Sequence, residues 1–309
     1  MRNIKGGDWM RIRKKEPEDV GLLFKRTKQE KLIFAFFFLL FAIYACVLIF
    51  PFIWLFLSSL KGGIEYELDN ALKQAFALPD VAQFKNYFDA YSKLQYDGTN
   101  LWGMTFNSIW YTAVVTLEGV FFSSVTGYCL SKYNFKLKNL IYTIAVFSMT
   151  IPIVGTLGAS FKLAADLHIY DSPLQPILSC AGGFGFNFLI MYGFFKNISW
   201  NYAEAVFVDG GSHFTAFFRV MLPLAKTPMM TLGIMSAINC WNDYTSVILF
   251  LPSYPTIAAG LYYVERELTR GYMPIYFAAL FVSMLPIIII FACFSDKIMK
   301  NFTMGGLKG

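Results

Sequence analysis

The side chains that could carry out chemistry are few, and they do not form the sets that enzymes use. Histidine occurs twice and cysteine five times, and no spacing typical of metal ligands can be written from them. A Gly-x-x-x-x-Gly-Lys-Ser/Thr loop, which would cradle nucleotide phosphates, does not occur either. What remains is an isolated acid at Glu118, another at Asp243, and a polar segment at 196–226. We therefore expect no enzyme activity, no metal site and no cofactor bound by this chain.

The segment 196–226 has the pattern of two short helices around a turn. Asp209-Gly210-Gly211 can end the first helix, because glycine tolerates the positive φ of a helix C-terminus. Ser212 can then cap the second helix. The first helix would leave Phe207 and Val208 in water unless a partner covers them. A short, partly apolar helix between apolar runs indicates a docking element.

The rest of the chain is dominated by apolar runs. Hydrophobic residues make up 56% and charged residues 15%, against roughly 25% charged in a soluble domain. A bilayer-spanning helix needs about 20 mostly apolar residues, and in lipid it must satisfy its own backbone polar groups. We predict an all-α polytopic membrane protein with six transmembrane helices, at 32–60, 106–130, 139–161, 172–195, 227–250 and 272–295. The domains are then a basic arm, 1–31, a transmembrane domain, 32–295, and a tail, 296–309.

The positive residues predict the orientation of these spans. Nineteen of the 26 Lys and Arg residues lie in 1–31, 131–138, 196–226 and 296–309. Cytoplasmic segments carry the excess of positive charge, so these four segments and both termini are expected in the cytoplasm. The basic arm is expected to lie on anionic membrane lipid rather than on a nucleic acid.

The segment 196–226 resembles the EAA loop of bacterial ABC importer permeases, and it is called the EAA loop from here on. The family pattern is Glu-Ala-Ala, two residues, Asp-Gly-Ala, then Phe and Leu-Pro. This chain has Glu204-Ala-Val206, Asp209-Gly-Gly211, Phe218 and Leu222-Pro223, so Val206 and Gly211 each stand where the family has alanine. Both replacements are small to medium and apolar, and we expect the docking geometry to survive them.

Further landmarks are similar to the sugar-importing, maltose-type (MalG-like) branch of that family, and they cover nearly the whole chain from about residue 30. They are Pro51-Phe-Ile-Trp54, Asn107-Ser108, Gly127-Tyr-Cys-Leu-Ser-Lys-Tyr133, Ile151-Pro152, Trp241-Asn-Asp-Tyr244 and the tail from Phe302 to Gly309.

The resemblance implies a type I ABC importer permease fold in the bacterial cell membrane and a set of partners. Such a subunit pairs with a second, homologous permease, and an extracellular solute-binding (lipo)protein delivers the sugar. Two ABC ATPase subunits bind beneath, holding the ATP and Mg. The residues implied to contact the ATPases are Glu204, Ala205, Phe207, Val208, Asp209, Gly210 and Gly211 in the EAA loop, and Gly305, Gly306 and Lys308 in the tail.

Five polar or aromatic side chains inside the spans are candidates for the substrate pathway. A charge in mid-span costs roughly 3 kcal/mol on insertion scales, so Glu118 should be partnered, hydrated or protonated. It either hydrogen-bonds sugar hydroxyls or is a neutralised group within the helix bundle. The same choice, between gripping a sugar and bonding helices together, applies to Asn187, Asn239, Trp241 and Asn242.

The alternative function is secondary transport of a small polar solute. That class would show internal repeats and paired intramembrane charges for ion coupling. We find no repeat, and only Glu118 and Asp243 as intramembrane charges, so the sequence favours the ABC importer permease. The sequence does not indicate which sugar would be carried.

Overall fold

The computed structural model describes residues 27–72, 74, 76–150, 156–180, 183–267 and 271–304, and these are mostly helical. Two short strands pair antiparallel, Gln95 with Asn100 and Tyr96 with Thr99. In chain order the elements are α1 (Lys28–Ser59), α2 (Gly63–Ala71), α3 (Lys85–Lys93), β1 (Gln95–Tyr96), β2 (Thr99–Asn100), α4 (Leu101–Lys132), α5 (Lys138–Thr150), α6 (Thr156–Asp166), α7 (Leu174–Cys180), α8 (Phe186–Asn197), α9 (Asn201–Val208), α10 (His213–Thr215), a π-helical segment (Ala216–Met221), α11 (Leu222–Leu224), α12 (Lys226–Trp241), α13 (Thr245–Phe250), α14 (Ile257–Glu267) and α15 (Met273–Met304).

The chain divides into two compact units, 1–54 and 55–309. In the described part of the first, α1 begins with a capping box, in which Glu30 accepts from the Thr27 N–H and the Thr27 hydroxyl accepts from the Glu30 N–H. The helix then continues apolar on all sides, with nearly every side chain up to residue 53 exposed. Such a helix is typical of a membrane span.

Three helices in the described residues are long and apolar enough to cross a membrane: Lys28–Ser59, Leu101–Lys132 and Met273–Ser295. They correspond to the first, second and sixth predicted spans. A fourth candidate is the pair His213–Leu224 and Lys226–Trp241, which is bent by 71°. The count of six is therefore not confirmed and stays a prediction.

The other predicted spans do not appear as single long helices among the described residues. The third contains α5 and α6 as separate helices, with 151–155 outside the described residues. The fourth contains α7 and α8, and between them Gly183 and Gly185 have φ values of +60° and +131°. A Cβ at Gly183 would lie 2.7 Å from the Phe122 carbonyl oxygen of α4, so glycine permits this close approach. The fifth ends at Trp241, after which Asp243 caps α13 by accepting from the Ser246 N–H.

Within the second unit, α4 is the element that links its two ends. Its 32 residues measure about 48 Å along the axis. At its beginning, the Ser108 hydroxyl accepts from the Ile257 N–H, and Asn107 donates to the Pro255 carbonyl. At its end, the Lys132 Nζ donates to the Ile198 carbonyl. This helix therefore holds α14 at one end and the EAA loop at the other.

Candidate functional site

The first half of the EAA loop is helix α9, which ends as the sequence predicts. The Gly211 N–H donates to the Val206 carbonyl at 2.8 Å, and the Gly210 N–H donates to the Phe207 carbonyl at 3.0 Å. These two bonds form a Schellman C-cap, in which the residue after the cap takes a left-handed conformation. Gly210 is that residue, with φ at +78°. The Asp209-Gly210-Gly211 turn is thus specified by backbone geometry.

The second half of the EAA loop leads into helix α12, part of the fourth candidate span. Ser212 caps α10 by accepting from the Thr215 N–H at 3.3 Å, as predicted. The following π turn at Ala216–Met221 widens the helix just before Pro223, which lacks an N–H and crowds the preceding turn. The axis then bends by 71° between Leu224 and Lys226. This bent segment connects α9 to α12 without a long loop between them.

Aromatic side chains hold the EAA loop against the end of α4. The Tyr133 hydroxyl lies 2.9 Å from His213 Nδ1, and its ring packs edge-on against Trp200 at 5.7 Å. One turn earlier, the Tyr128 ring lies 4.9 Å from that of Phe217. Each aromatic pair contributes ~0.5–1.5 kcal/mol beyond its buried area. The buried core beneath the loop also includes Met191, Phe195, Ala203 and Met221.

The residues of the predicted docking surface divide into an outer and an inner set. Glu204, Ala205 and Asp209 are exposed, and Val208 is 87% exposed. Phe207 is not among them, because its ring is half-buried, 4.7 Å from the His213 ring. The expectation that Phe207 faces water therefore holds only for the part of its ring that stays exposed. Its position follows from α9 turning that side chain towards His213 rather than away from the loop.

A depression of about 550 Å³ lies beside the outer face of α9. Its lining mixes polar and apolar side chains from both halves of the loop: Ser199, Asn201, Tyr202, Ala205, Val206, Asp209 and Val220. The Glu204 carboxylate has no hydrogen-bond or ion-pair partner among the described residues. The Glu204 carboxylate is therefore exposed to solvent and does not hold the backbone of its own loop.

Glu118 lies on α4 with its Oε2 buried and without a hydrogen-bond partner among the described residues. The hydroxyls of Thr112 and Thr116 on the same helix share this property. A buried polar atom without a partner costs ~1–3 kcal/mol. The described residues therefore supply no neutralising group for Glu118, and a partner from outside them would relieve that cost.

The other pathway candidates fall into two groups. Asn187 donates to the Ser236 hydroxyl at 3.1 Å, which bonds α8 to α12, and the Trp241 Nε1 donates to the Ser283 carbonyl at 3.0 Å, which bonds α12 to α15. Asn239 and Asn242 are exposed, and Asn242 donates to the Ile238 carbonyl of its own helix. The structure does not bring Glu118 together with these four in one described cavity.

The tail candidates Gly305, Gly306 and Lys308 lie outside the described residues.

Comparisons with known proteins give the family. The family described as binding-protein-dependent transport system inner membrane component matches residues 119–301, more than half of the chain. AraQ of Bacillus subtilis, an arabinooligosaccharides transport system permease protein, is 30% identical over 274 residues, which cover 88% of this chain and 94% of AraQ. This chain belongs to that family.

Two further matches agree with this membership of the permease family. SmoH of Agrobacterium fabrum, a sulfoquinovosyl glycerol transport system permease protein, is 27% identical to this permease. The alignment covers 84% of this permease and 89% of SmoH. A chain from the crystal structure of a bacterial ABC transporter involved in the import of the acidic polysaccharide alginate superimposes with a TM-score of 0.72, covering 88% of this permease and 99% of that chain. Its identity of 23% supports the fold alone.

The family confirms the recognition made from the EAA pattern and decides against the alternative of a secondary transporter, because its members work with a binding protein. The permease is an inner membrane component of a transport system. Sequence reasoning missed the residues that fix its EAA loop: Tyr133, Trp200 and His213. A signal for the first was present, since Tyr133 closes the Gly127–Tyr133 landmark, but that motif was used only as a family marker.

Proposed function

We propose that this permease is the transmembrane subunit of an ATP-driven, binding-protein-dependent importer of a sugar, with an oligosaccharide as the favoured substrate. It forms half of the translocation pathway and is paired with a second, homologous permease. Relatives whose names specify arabinooligosaccharides and melibiose, raffinose and stachyose support a sugar as the substrate class. Two separate ATPase subunits hold ATP and Mg, and this chain holds neither.

The observation that carries the proposal is the structure of the EAA loop. Its outer face presents Val208 and the unpaired carboxylate of Glu204, whereas its inner face is locked to α4 through Tyr133 and His213. An exposed apolar side chain beside a free carboxylate suits docking to a basic, concave surface of another protein. Docking there would drive α12 through the bent connection at residues 213–226.

Six transmembrane helices and cytoplasmic termini remain part of the proposal. The charge distribution supports the orientation, because the EAA loop is among the Lys- and Arg-rich segments. In this arrangement α14 lies at the extracellular end of α4, where the binding protein delivers the sugar. Glu118, Asn187, Asn239, Trp241 and Asn242 are the proposed pathway residues, and Gly305, Gly306 and Lys308 the proposed tail contacts with the ATPases.

Reconstitution tests this function. The complex of both permeases and both ATPases is placed in proteoliposomes with its binding protein, and uptake is followed with radiolabelled sugars that stabilise the binding protein against heat. We expect uptake that requires ATP and the binding protein together. Uptake driven by a proton or sodium gradient without ATP would contradict the proposal.

A further inference from the structure

A cavity of about 290 Å³ lies between the end of α12, helix α14 and the first turns of α15. Because α14 is bonded to residues 107 and 108 of α4, the cavity lies at the opposite end of that helix from the EAA loop. Its volume is at the lower end of the roughly 300–1,000 Å³ typical of ligand pockets. A single sugar ring is therefore a better match to its size than an extended oligosaccharide.

One wall of this cavity is aromatic and held in place. The Tyr244 and Tyr262 rings stack with centroids 5.0 Å apart and planes at 20°. Arg266 fixes Tyr262, with its Cζ 4.6 Å from the ring centroid and its Nη2 donating to the tyrosine hydroxyl at 2.6 Å. Trp241, also on the wall, is fixed by its bond to the Ser283 carbonyl. Pre-positioned rings offer electron-rich faces on which the C–H groups of a sugar ring can pack.

The lining of the cavity includes two side chains whose oxygens only accept hydrogen bonds, beside tyrosine and serine hydroxyls. Glu265 contributes a carboxylate, and Asn242, whose amide nitrogen is bonded to the Ile238 carbonyl, contributes its Oδ1. Among the described residues, neither Lys nor Arg lines the cavity. Sugar hydroxyls can donate to these acceptors, and a carboxylate acceptor gives the stronger, charge-assisted bond. A sugar that carries a carboxylate or sulfonate would be repelled by Glu265, whereas the nearby Arg266 guanidinium is already engaged with the Tyr262 ring and hydroxyl.

We propose that this cavity is a binding subsite for one uncharged sugar unit, with Tyr244 as its stacking platform and Glu265 as its acceptor of hydroxyl protons. The inference rests on the proposed function and narrows its substrate class to a neutral sugar. Tyr244 is suited to the role because Tyr262 covers part of it while 43% of its surface remains exposed.

The test is direct sugar binding to the assembled transporter, without ATP and without binding protein. Saturation-transfer difference NMR is recorded on the complex in nanodiscs with methyl glycosides of glucose, galactose and arabinose, and with methyl galacturonide as the acidic counterpart of the galactoside. We expect a signal from at least one neutral glycoside, and a galacturonide signal lower than that of the strongest neutral probe by about fivefold or more, which corresponds to ~1 kcal/mol. Glu265→Gln should reduce that difference.

Variants assign the signal to the cavity. Tyr244→Ala should lower the neutral signal by about fivefold or more, whereas Tyr244→Phe, which keeps the ring, should retain it. Tyr272→Ala is the matched control, because Tyr272 is 40% exposed near the start of α15 and does not line the cavity. Equal signals from the wild type and Tyr244→Ala, equal binding of the galacturonide, or no signal from any neutral probe would overturn the subsite. ATP-dependent uptake tests the proposed function separately from these binding measurements. The proposed function could therefore stand even if the subsite were overturned.

Discussion

The Cγ1 of Val206 occupies the space that a side chain at position 211 would need. A Cβ built on Gly211 lies 2.5 Å from that methyl group and 2.9 Å from the Val206 carbonyl oxygen. These are the two positions at which the EAA loop departs from the family's alanines. The departures are therefore coupled in space: the larger residue at 206 is accommodated because the residue at 211 has no side chain.

This contact predicts the effect of restoring alanine at position 211. Overpacking of a tight site costs ~1–3 kcal/mol, and the clash is with a β-branched side chain that has little rotameric freedom. We expect Gly211→Ala to lower the thermal midpoint of the assembled complex and the yield of bound ATPase. Val206→Ala/Gly211→Ala should recover part of both, since the contact with the carbonyl remains. If the double variant is no better than the single one, the two positions are not coupled.

The Tyr133–His213 contact predicts that removal of the Tyr133 ring weakens the packing of the EAA loop against the end of α4. Tyr133→Phe keeps the ring contacts and loses one hydrogen bond, worth ~1 kcal/mol. Tyr133→Ala also loses the edge contacts to Trp200 and His213. We expect a small drop in sugar transported per ATP hydrolysed for the first variant and a drop of about fivefold or more for the second. Wild-type coupling in the alanine variant would show that this anchor does not matter.

The unpaired Glu118 carboxylate predicts a loss of transport without a loss of assembly. Glu118→Gln keeps the size of the side chain and removes the charge, and no described intrachain partner is left behind. We expect normal amounts of assembled complex and lower ATP-dependent uptake. Ser124→Ala serves as the control on the same helix, because the Ser124 hydroxyl bonds only the Val120 carbonyl of α4. Reduced assembly of Glu118→Gln would instead assign Glu118 a structural partner in the second permease.

The length of α4 predicts that its two ends lie on opposite sides of the membrane. Its length of about 48 Å exceeds the ~30 Å hydrocarbon core, and Gln95 and Ser212 lie near opposite ends of it. In a cysteine-free background and intact cells, an impermeant maleimide should label Gln95→Cys and leave Ser212→Cys unlabelled. The reverse pattern would invert the orientation, and labelling of both would exclude a spanning α4.

The sequence predicts well the parts of this molecule that have long apolar runs or a distinctive helix-ending glycine pair. Spans around α1, α4 and α15 follow from apolar length alone, and the end of α9 follows from Gly210 and Gly211. The break between α7 and α8 at residues 183–185 does not follow, because apolar composition suits a broken helix and a continuous one equally. Hydropathy reflects only whether a side chain prefers water or an apolar environment. A helix break also depends on the close approach of another backbone, as that of Phe122 to Gly183.

The candidate site was predictable in position but not in orientation. The Glu204–Asp209 spacing locates the docking element, yet only the fold shows that Phe207 turns inward to His213 while Val208 turns outward. Likewise, the sequence shows Trp241 only as an aromatic residue with one N–H donor inside a predicted span. The hydrogen bond from this N–H to the Ser283 carbonyl, 42 residues later, depends on how the helices pack. Contacts between distant segments carry no local sequence signature.

The most direct test of the account is ATP-dependent sugar uptake by the reconstituted importer carrying Gly210→Asp. Nothing described in this chain lies within 4 Å of a Cβ at Gly210, and aspartate tolerates a left-handed backbone better than most residues, so the added side chain chiefly meets a partner. Gly98→Asp is the matched control, with φ at +74° and equally open space, near the start of α4. We predict that Gly210→Asp lowers uptake by about tenfold or more while Gly98→Asp stays near wild type. Equal uptake by the two variants would contradict coupling through the EAA loop.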